Sequence, residues 1–147
     1  SEAAEEGKIK GLYVVGENPA VTYPDSARTK KALAALDFLV VQDCFLTETA
    51  SLAQVVLPAV TFAEKEGTFT NVERRVQRVR PALHPLGEAR PDLWIFQELA
   101  SAMGTSFGRI SANAVMSEDN VESFFGKIHP GLRGIDPYFL RSILSKA

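Results

Sequence analysis

The sequence predicts an α/β domain built on a mostly parallel sheet flanked by helices, and three observations carry that prediction. Gly11-Leu12-Tyr13-Val14-Val15 and Phe38-Leu39-Val40-Val41-Gln42 are continuous apolar runs that stop at Gly16 and Asp43. Runs of this kind suit parallel strands buried on both faces, where no alternation is required. Between them, residues 26–36 place Ala27, Ala32, Leu33, Ala35 and Leu36 on an apolar helical face behind Asp25, a good N-cap. A third short run, Val55-Val56-Leu57, is closed by Pro58. Only a short helical turn capped by Thr47 fits between residues 42 and 55, which puts the third strand close beside the second.

Composition bounds the rest. The chain has 147 residues, 46% hydrophobic and 23% charged, the balance of a soluble globular domain with a real core. A net charge of −2 argues against a nucleic-acid surface, because no basic excess exists to displace counterions. No apolar run has the length of a membrane span, and no membrane contact by this domain is expected. Cys44 is the single cysteine, so an internal disulfide and a site built on several thiolates are excluded. That usage fits a reducing compartment, and a cytoplasmic location is expected. Ser1 rather than Met opens a charged lead, which raises the expectation that the chain is a piece of a longer protein.

Taken in order, the first strand ends in Gly16-Glu17-Asn18-Pro19, where Gly16 permits a tight turn and Pro19 keeps Asn18 out of the helical region. One glycine stands where a G-x-G-x-x-G fingerprint needs three, which makes an ordinary NAD site at this turn a poor fit. Asn18 and the turn's N–H groups can still meet a phosphate or sugar, although an Asx turn explains Asn18 equally. A strand, helix and strand with short links is a right-handed crossover by default, and open sheets of this sort bind ligands outside the carboxyl ends of their strands. Gln42-Asp43 occupies that position on the second strand. A carboxylate there can grip a ribose or take the paired N–H groups of a guanine edge. It can equally cap the turn that follows, with Thr47 sharing the work.

Residues 63–77 have no hydrophobic period and read as a long polar loop, the kind that is functional or disordered inside a compact domain. Arg74 and Arg75 cannot both face one site on an extended segment, so one is expected to pair with Glu64, Glu66 or Glu73 and brace the loop. Gly67 reads as a backbone turn. Residues 74–80 suggest a strand, and 81–91 a Pro- and Gly-containing linker in which His84 is a loop residue. Residues 92–103 form the next helix, opened by Pro91-Asp92 and stopped by Gly104, with Phe96, Leu99, Ala100 and Met103 as its stripe. Trp94 reads as core. Short helices are expected from Ser117 and from Asp136, while residues 1–8 and 105–116 are expected to be irregular. The whole is read as a single domain over 1–147.

One stretch is more specific than its periodicity. Val55-Val56-Leu57-Pro58, followed by E-K-x-G-T-x-x-N-x-E-R-R-x-Q over residues 64–77 and by Gly87-Glu88-Ala89-Arg90-Pro91-Asp92, closely resembles the large subunits of molybdopterin oxidoreductases, the dimethyl sulfoxide reductase superfamily. Gly16-x-Asn18-Pro19 and Gln42-Asp43-x-Phe45-x-Thr47-x-Thr49 fit upstream. The resemblance covers roughly residues 11–104. Within the superfamily the wording is most similar to formate dehydrogenase alpha subunits, with the large subunit of bacterial NADH:quinone oxidoreductase, in a structural and cofactor-free role, as the alternative.

The resemblance implies a Rossmann-like three-layer domain that holds the nucleotide part of a molybdopterin guanine dinucleotide, the ligand of molybdenum or tungsten in the full-length enzyme. It implies cofactor contacts at Asn18, Gln42, Asp43, Thr47, Lys65 and Asp92, with Asp43 at the guanine or ribose, Lys65 at the nucleotide part and Asp92 on the guanosine side. A charge-assisted contact of this type contributes roughly 1.5–3 kcal/mol. Asp92 is also a helix-start residue in its own right. The metal ligand and iron–sulfur cysteines of the family are expected outside this chain, no catalytic residue is expected within it, and this piece by itself is expected to show no turnover. Its expected partners are the remaining domains of the same large subunit and the electron-transfer subunits of the parent complex.

Overall fold

In the computed structural model, residues 2–73, 75–106, 108 and 111–112 are described. The helices expected from Ser117 and Asp136, and Arg74 of the arginine pair, lie outside them. The described chain forms two compact units, one containing residues up to Thr61 together with Pro85–Ile95, the other beginning with Phe62–His84 and continuing from Phe96.

The first unit is the sheet. Strand β1 (Gly11–Val15) pairs in parallel with β2 (Phe38–Asp43), which pairs in parallel with β3 (Val55–Pro58), so β2 is central. Register places Val15 beside Gln42, and Asp43 beside Pro58. The chain then adds one more rung, because Ala59 and Arg90 form a parallel bridge with Arg90 N–H on Pro58 O and Val60 N–H on Arg90 O, both 3.1 Å. Helices α1 (Glu2–Glu5), α2 (Pro19–Thr22) and α3 (Ser26–Ala34) complete the unit's amino-terminal half. Asp25 caps α3 as expected, its carboxylate accepting from Arg28 N–H at 3.0 Å. It does so from a left-handed backbone, φ 57°, a conformation that Asp tolerates better than most residues. The core comprises Val14, Ala20, Leu33, Leu36, Leu39, Val41 and Ala50.

Three expectations change here. Burial on both faces holds for central β2 from Leu39 onward, whereas Phe38 at its start, Leu12 and Tyr13 of β1, and Val55 and Val56 of β3 are exposed. A strand hydrogen-bonded on one side only leaves its other side and part of its faces uncovered within this unit. Ala27 on α3 and Ala35 at its C-cap are exposed, and Thr29, Ala32 and Leu33 are the helix's buried positions. At the amino end, expected to be irregular, Glu2–Glu5 forms a helical turn, and the Glu5 carboxylate takes both Nε and Nη2 of Arg28 at 2.8 and 2.9 Å. That bidentate pair supplies the tertiary anchor which composition alone does not reveal.

The second unit contains a hairpin whose second strand falls within residues 74–80, where a strand is expected, and whose first strand falls where the sequence suggests a loop. A 3-10 turn (Phe62–Glu64) leads into β4 (Gly67–Thr70), antiparallel to β5 (Val76–Val79), with Thr68 opposite Arg78 and Phe69 opposite Gln77. Gly67 therefore opens a strand rather than a turn. The connection is built by Asn71, whose Oδ1 accepts the N–H groups of Glu73 and Arg75, each at 2.9 Å. Phe62 meets Phe69 edge to face, ring centroids 6.0 Å apart. Helix α4 (Asp92–Ala102) matches its expected extent to within a residue, but Met103 at its end is 82% exposed rather than part of a buried stripe.

Candidate functional site

Five of the six expected contacts belong to the sheet unit, four at or just after the ends of its strands and one at a helix start. Asn18 follows β1, Gln42 and Asp43 end β2, Thr47 lies in the turn after β2, and Asp92 opens α4. Lys65 belongs to the other unit, directly after the Phe62–Glu64 turn, and is half-buried there.

Gln42 and Asp43 show why neighbours on a strand do different jobs, since successive side chains point to opposite faces. Gln42 is fully buried. Its Nε2 donates to Asp92 Oδ1 at 2.7 Å, and its Oε1 accepts from the Tyr13 hydroxyl. Tyr13 pairs with Val40 in the β1–β2 register, so it reaches Gln42 along the diagonal of one sheet face. Burial pushes the Tyr13 hydroxyl above the usual tyrosine range, and the negative charge of Asp92 adds to the effect. Gln42 is thus a link between β1 and the start of α4. Both ends of its amide are bonded inside the protein, and it presents no face to a ligand.

Asp43 is half-buried. Its Oδ1 accepts from Phe45 N–H at 2.9 Å, an Asx turn, and its main-chain oxygen accepts from Ala59 N–H at 3.0 Å. Among the described residues its second carboxylate oxygen makes no hydrogen bond, which keeps an acceptor available at the carboxyl end of the central strand. Thr47 caps the following 3-10 turn (Ala50–Leu52), its Oγ1 accepting from Ala50 N–H at 3.1 Å and its main-chain oxygen from both Ser51 N–H and Ser51 Oγ. The structural role expected of Thr47 is the one its side chain performs.

Asn18 is tied to the same turn from the other strand. Its Oδ1 accepts from Thr49 Oγ1 at 2.7 Å and Thr49 N–H at 3.2 Å, while its Nδ2 donates to Glu48 Oε2 at 2.8 Å. The bond from Asn18 holds the Glu48 carboxyl below the usual glutamate range. The loops after β1 and β2 are therefore bolted together across the crevice in which open parallel sheets receive ligands. Beside it, the Arg90 guanidinium lies 5.7 Å from the Trp94 ring centroid. Trp94 is 45% exposed, so it is a stacking surface rather than core.

Tyr13, Glu48 and Thr49 are the side chains that sequence reasoning did not select. Tyr13 reads as one more apolar residue in a buried run, and the usable signal was its polar tip two positions along the same face from Gln42's neighbour. Thr49 sits two residues after Thr47, a repeat that gives no hint of which hydroxyl faces inward.

The donor set at these strand ends fits a nucleotide. Asp43 offers an acceptor for base or sugar N–H and O–H groups, and Asn18 Nδ2 offers a donor. No group of three or more His, Cys, Asp or Glu that could hold a metal occurs among the described residues. No helix among them is long and apolar enough to cross a membrane.

This fold, a three-stranded parallel sheet with flanking helices, is of the α/β class, and comparison identifies the family. The molybdopterin oxidoreductase family matches residues 1–102, and the chain belongs to that family. It is 52% identical over 132 residues to the F420-dependent formate dehydrogenase subunit alpha of Methanocaldococcus jannaschii, covering 89% of this chain and 19% of that one. It is 58% identical over 97 residues to the F420-dependent formate dehydrogenase 2 subunit alpha of Methanococcus maripaludis, covering 66% of this chain and 14% of the relative. Among solved structures, the acetylene hydratase of Pelobacter acetylenicus superposes with a TM-score of 0.63 at 29% identity, over 70% of this chain and 15% of the hydratase. The chain spans about a fifth or less of the length of these relatives.

Proposed function

We propose that this chain is the part of a formate-dehydrogenase-like oxidoreductase that holds the nucleotide end of a molybdopterin guanine dinucleotide. The observation that carries the reading is the 52% identity to a formate dehydrogenase alpha subunit across 89% of the chain. The placement of Asn18, Asp43 and Asp92 at strand ends and at a helix start supports it. When bound, the cofactor supplies the metal and the dithiolene-bearing pterin at which redox chemistry takes place. This chain's residues bind and orient. Asp43 accepts N–H or O–H groups of the guanosine, Asp92 contributes a second carboxylate held in place by Gln42, and Thr47 shapes the turn that follows β2. Lys65 supplies a cation for the phosphates. The chain carries no catalytic group, acts within a cytoplasmic large subunit alongside its further domains, and meets electron-transfer subunits through the assembled enzyme.

Isothermal calorimetry with GDP tests the reading. The wild-type chain is expected to bind, and Asp43→Ala to weaken binding by roughly tenfold or more, the loss of one hydrogen bond to a charged acceptor. Absence of heat at about millimolar ligand, an affinity weaker than about −4 kcal/mol, overturns it.

A second reading has its own observation. Both ends of the Gln42 amide and the Asn18 oxygen are consumed by bonds within the protein. A module that persists for structure alone, as in the large subunit of a NADH:quinone oxidoreductase, needs those bonds and no ligand. Under that reading GDP does not bind, while Gln42→Leu and Thr49→Val still destabilise the fold.

A further inference from the structure

Thr49 is fully buried, and its hydroxyl is used in both directions. Oγ1 accepts from Ala20 N–H at 3.0 Å and donates to Asn18 Oδ1 at 2.7 Å, while Thr49 N–H donates to the same oxygen at 3.2 Å. An amide oxygen has two acceptor sites, and Thr49 fills both. The polarity of this arrangement is fixed by its backbone members. Ala20 N–H and Thr49 N–H can only donate, so the hydroxyl must turn its proton toward Asn18, and the Asn18 oxygen must face inward to receive it. Turning the amide over would set Nδ2 against a backbone N–H inside a buried cluster, leaving donors without acceptors. Nδ2 therefore faces out of the cluster, where its partner is the exposed carboxylate of Glu48 at 2.8 Å.

We propose that Thr49 is a positioning residue that locks Asn18 as a donor-only contact at the crevice mouth, so that the ligand group met there is an oxygen acceptor of the nucleotide, a phosphate or a sugar oxygen. The proposal rests on the nucleotide reading above. Glu48 is the protein's own acceptor at that donor, and the ligand oxygen exchanges for it or takes the second N–H. The consequence is selectivity by chemistry: a group that offers only N–H or O–H donors finds no partner at Asn18.

The test uses the full 147-residue chain, with 15N relaxation of the Asn18 side-chain amide and calorimetry with GDP and guanosine. In wild type the Asn18 amide is expected to be as ordered as the backbone. Thr49→Val, which keeps the shape and removes the hydroxyl, is expected to mobilise it and weaken GDP by roughly tenfold. Thr49→Ser restores both. Asn18→Asp keeps the inward oxygen and removes the outward donor. A larger loss for GDP than for guanosine assigns the acceptor to phosphate, and an equal loss assigns it to the sugar.

A wild-type chain that binds GDP no better than Thr49→Val and Asn18→Asp overturns the inference while the nucleotide reading stands. A wild-type chain that binds no GDP overturns that reading and the acceptor assignment with it. The lock itself is then decided by relaxation alone, and an Asn18 amide as mobile in wild type as exposed amides refutes it.

Discussion

The sheet unit and the hairpin are held by different kinds of polar bond. In the sheet unit the decisive links are buried or half-buried and join distant parts of the chain. Gln42 and Asp92 are 50 residues apart, and Asn18 and Thr49 are 31 apart. In the hairpin, Glu66 and Arg78 meet at 2.7 Å across 12 residues, Glu73 and Arg75 at 3.3 Å across two, and all four are exposed. The contrast follows from the chemistry each must perform. A hairpin is aligned by its own turn, here organised by the Asn71 side chain, and charges along it add little beyond solubility. A parallel sheet has no turns to set its loops, so loops meant to form one site must be fastened by side chains that reach across strands.

That contrast can be broken or sharpened by substitution. The largest effect is expected in the sheet core. Leu39 is fully buried on the central strand, and Leu39→Ala is expected to cost about 2–5 kcal/mol, read as a shift of the urea midpoint. Phe69→Ala, at a side chain 53% exposed, is expected to cost well below the range of about 3–5 kcal/mol for a buried phenylalanine. Equal losses at the two sites would erase the distinction.

Next comes the buried amide. Gln42→Leu is expected to cost about 1–3 kcal/mol, because it removes the group to which both Tyr13 and Asp92 bond. Tyr13→Phe in the Gln42→Leu background should then add less than it does in wild type, and strict additivity would show that the two side chains act separately.

The smallest effects belong to the surface pairs. Glu66→Gln is expected to change stability by about 0–1 kcal/mol, with the difference fading at high salt. Glu5 adds a pH signature. The Arg28 guanidinium bonded to it lowers its pKa from the ordinary 4.5. Its contribution is therefore fully present above 4.5 and is lost as pH falls through the depressed value. The acid limb of a thermal-melting series should flatten in Arg28→Ala over that window, and an unchanged limb would show that the pair is silent.

Sequence legibility divides along the same line. The three parallel strands, the Asp25 cap and the start of α4 were readable because each is announced locally, by an apolar run, a capping residue or a Pro-Asp pair. The second strand of the hairpin, Val76–Val79, falls within the strand expected over residues 74–80, but its partner Gly67–Thr70 reads as loop, because it opens on a glycine, carries threonines, and the pairing that makes it a strand is absent from the segment alone. At the strand ends and the start of α4, Asn18, Asp43 and Asp92 are singled out by motif resemblance. Motif resemblance does not say which polar groups serve the protein itself. Gln42 looked like a ligand contact by its place beside Asp43, and only the alternation of the strand sends it to the opposite face and into the interior. Thr49 became visible once Asn18 had an observed orientation.

The bridge between Ala59 and Arg90 gives the chain an insertion point. Because Val60 N–H and Arg90 O are already joined there, everything from Thr61 to Ala89 is an excursion whose two ends are pinned side by side. The entropy of closing such a loop grows only logarithmically, about 0.6 kcal/mol for each doubling of its length. Lengthening the segment between these two anchors therefore carries only a small cost in closure entropy.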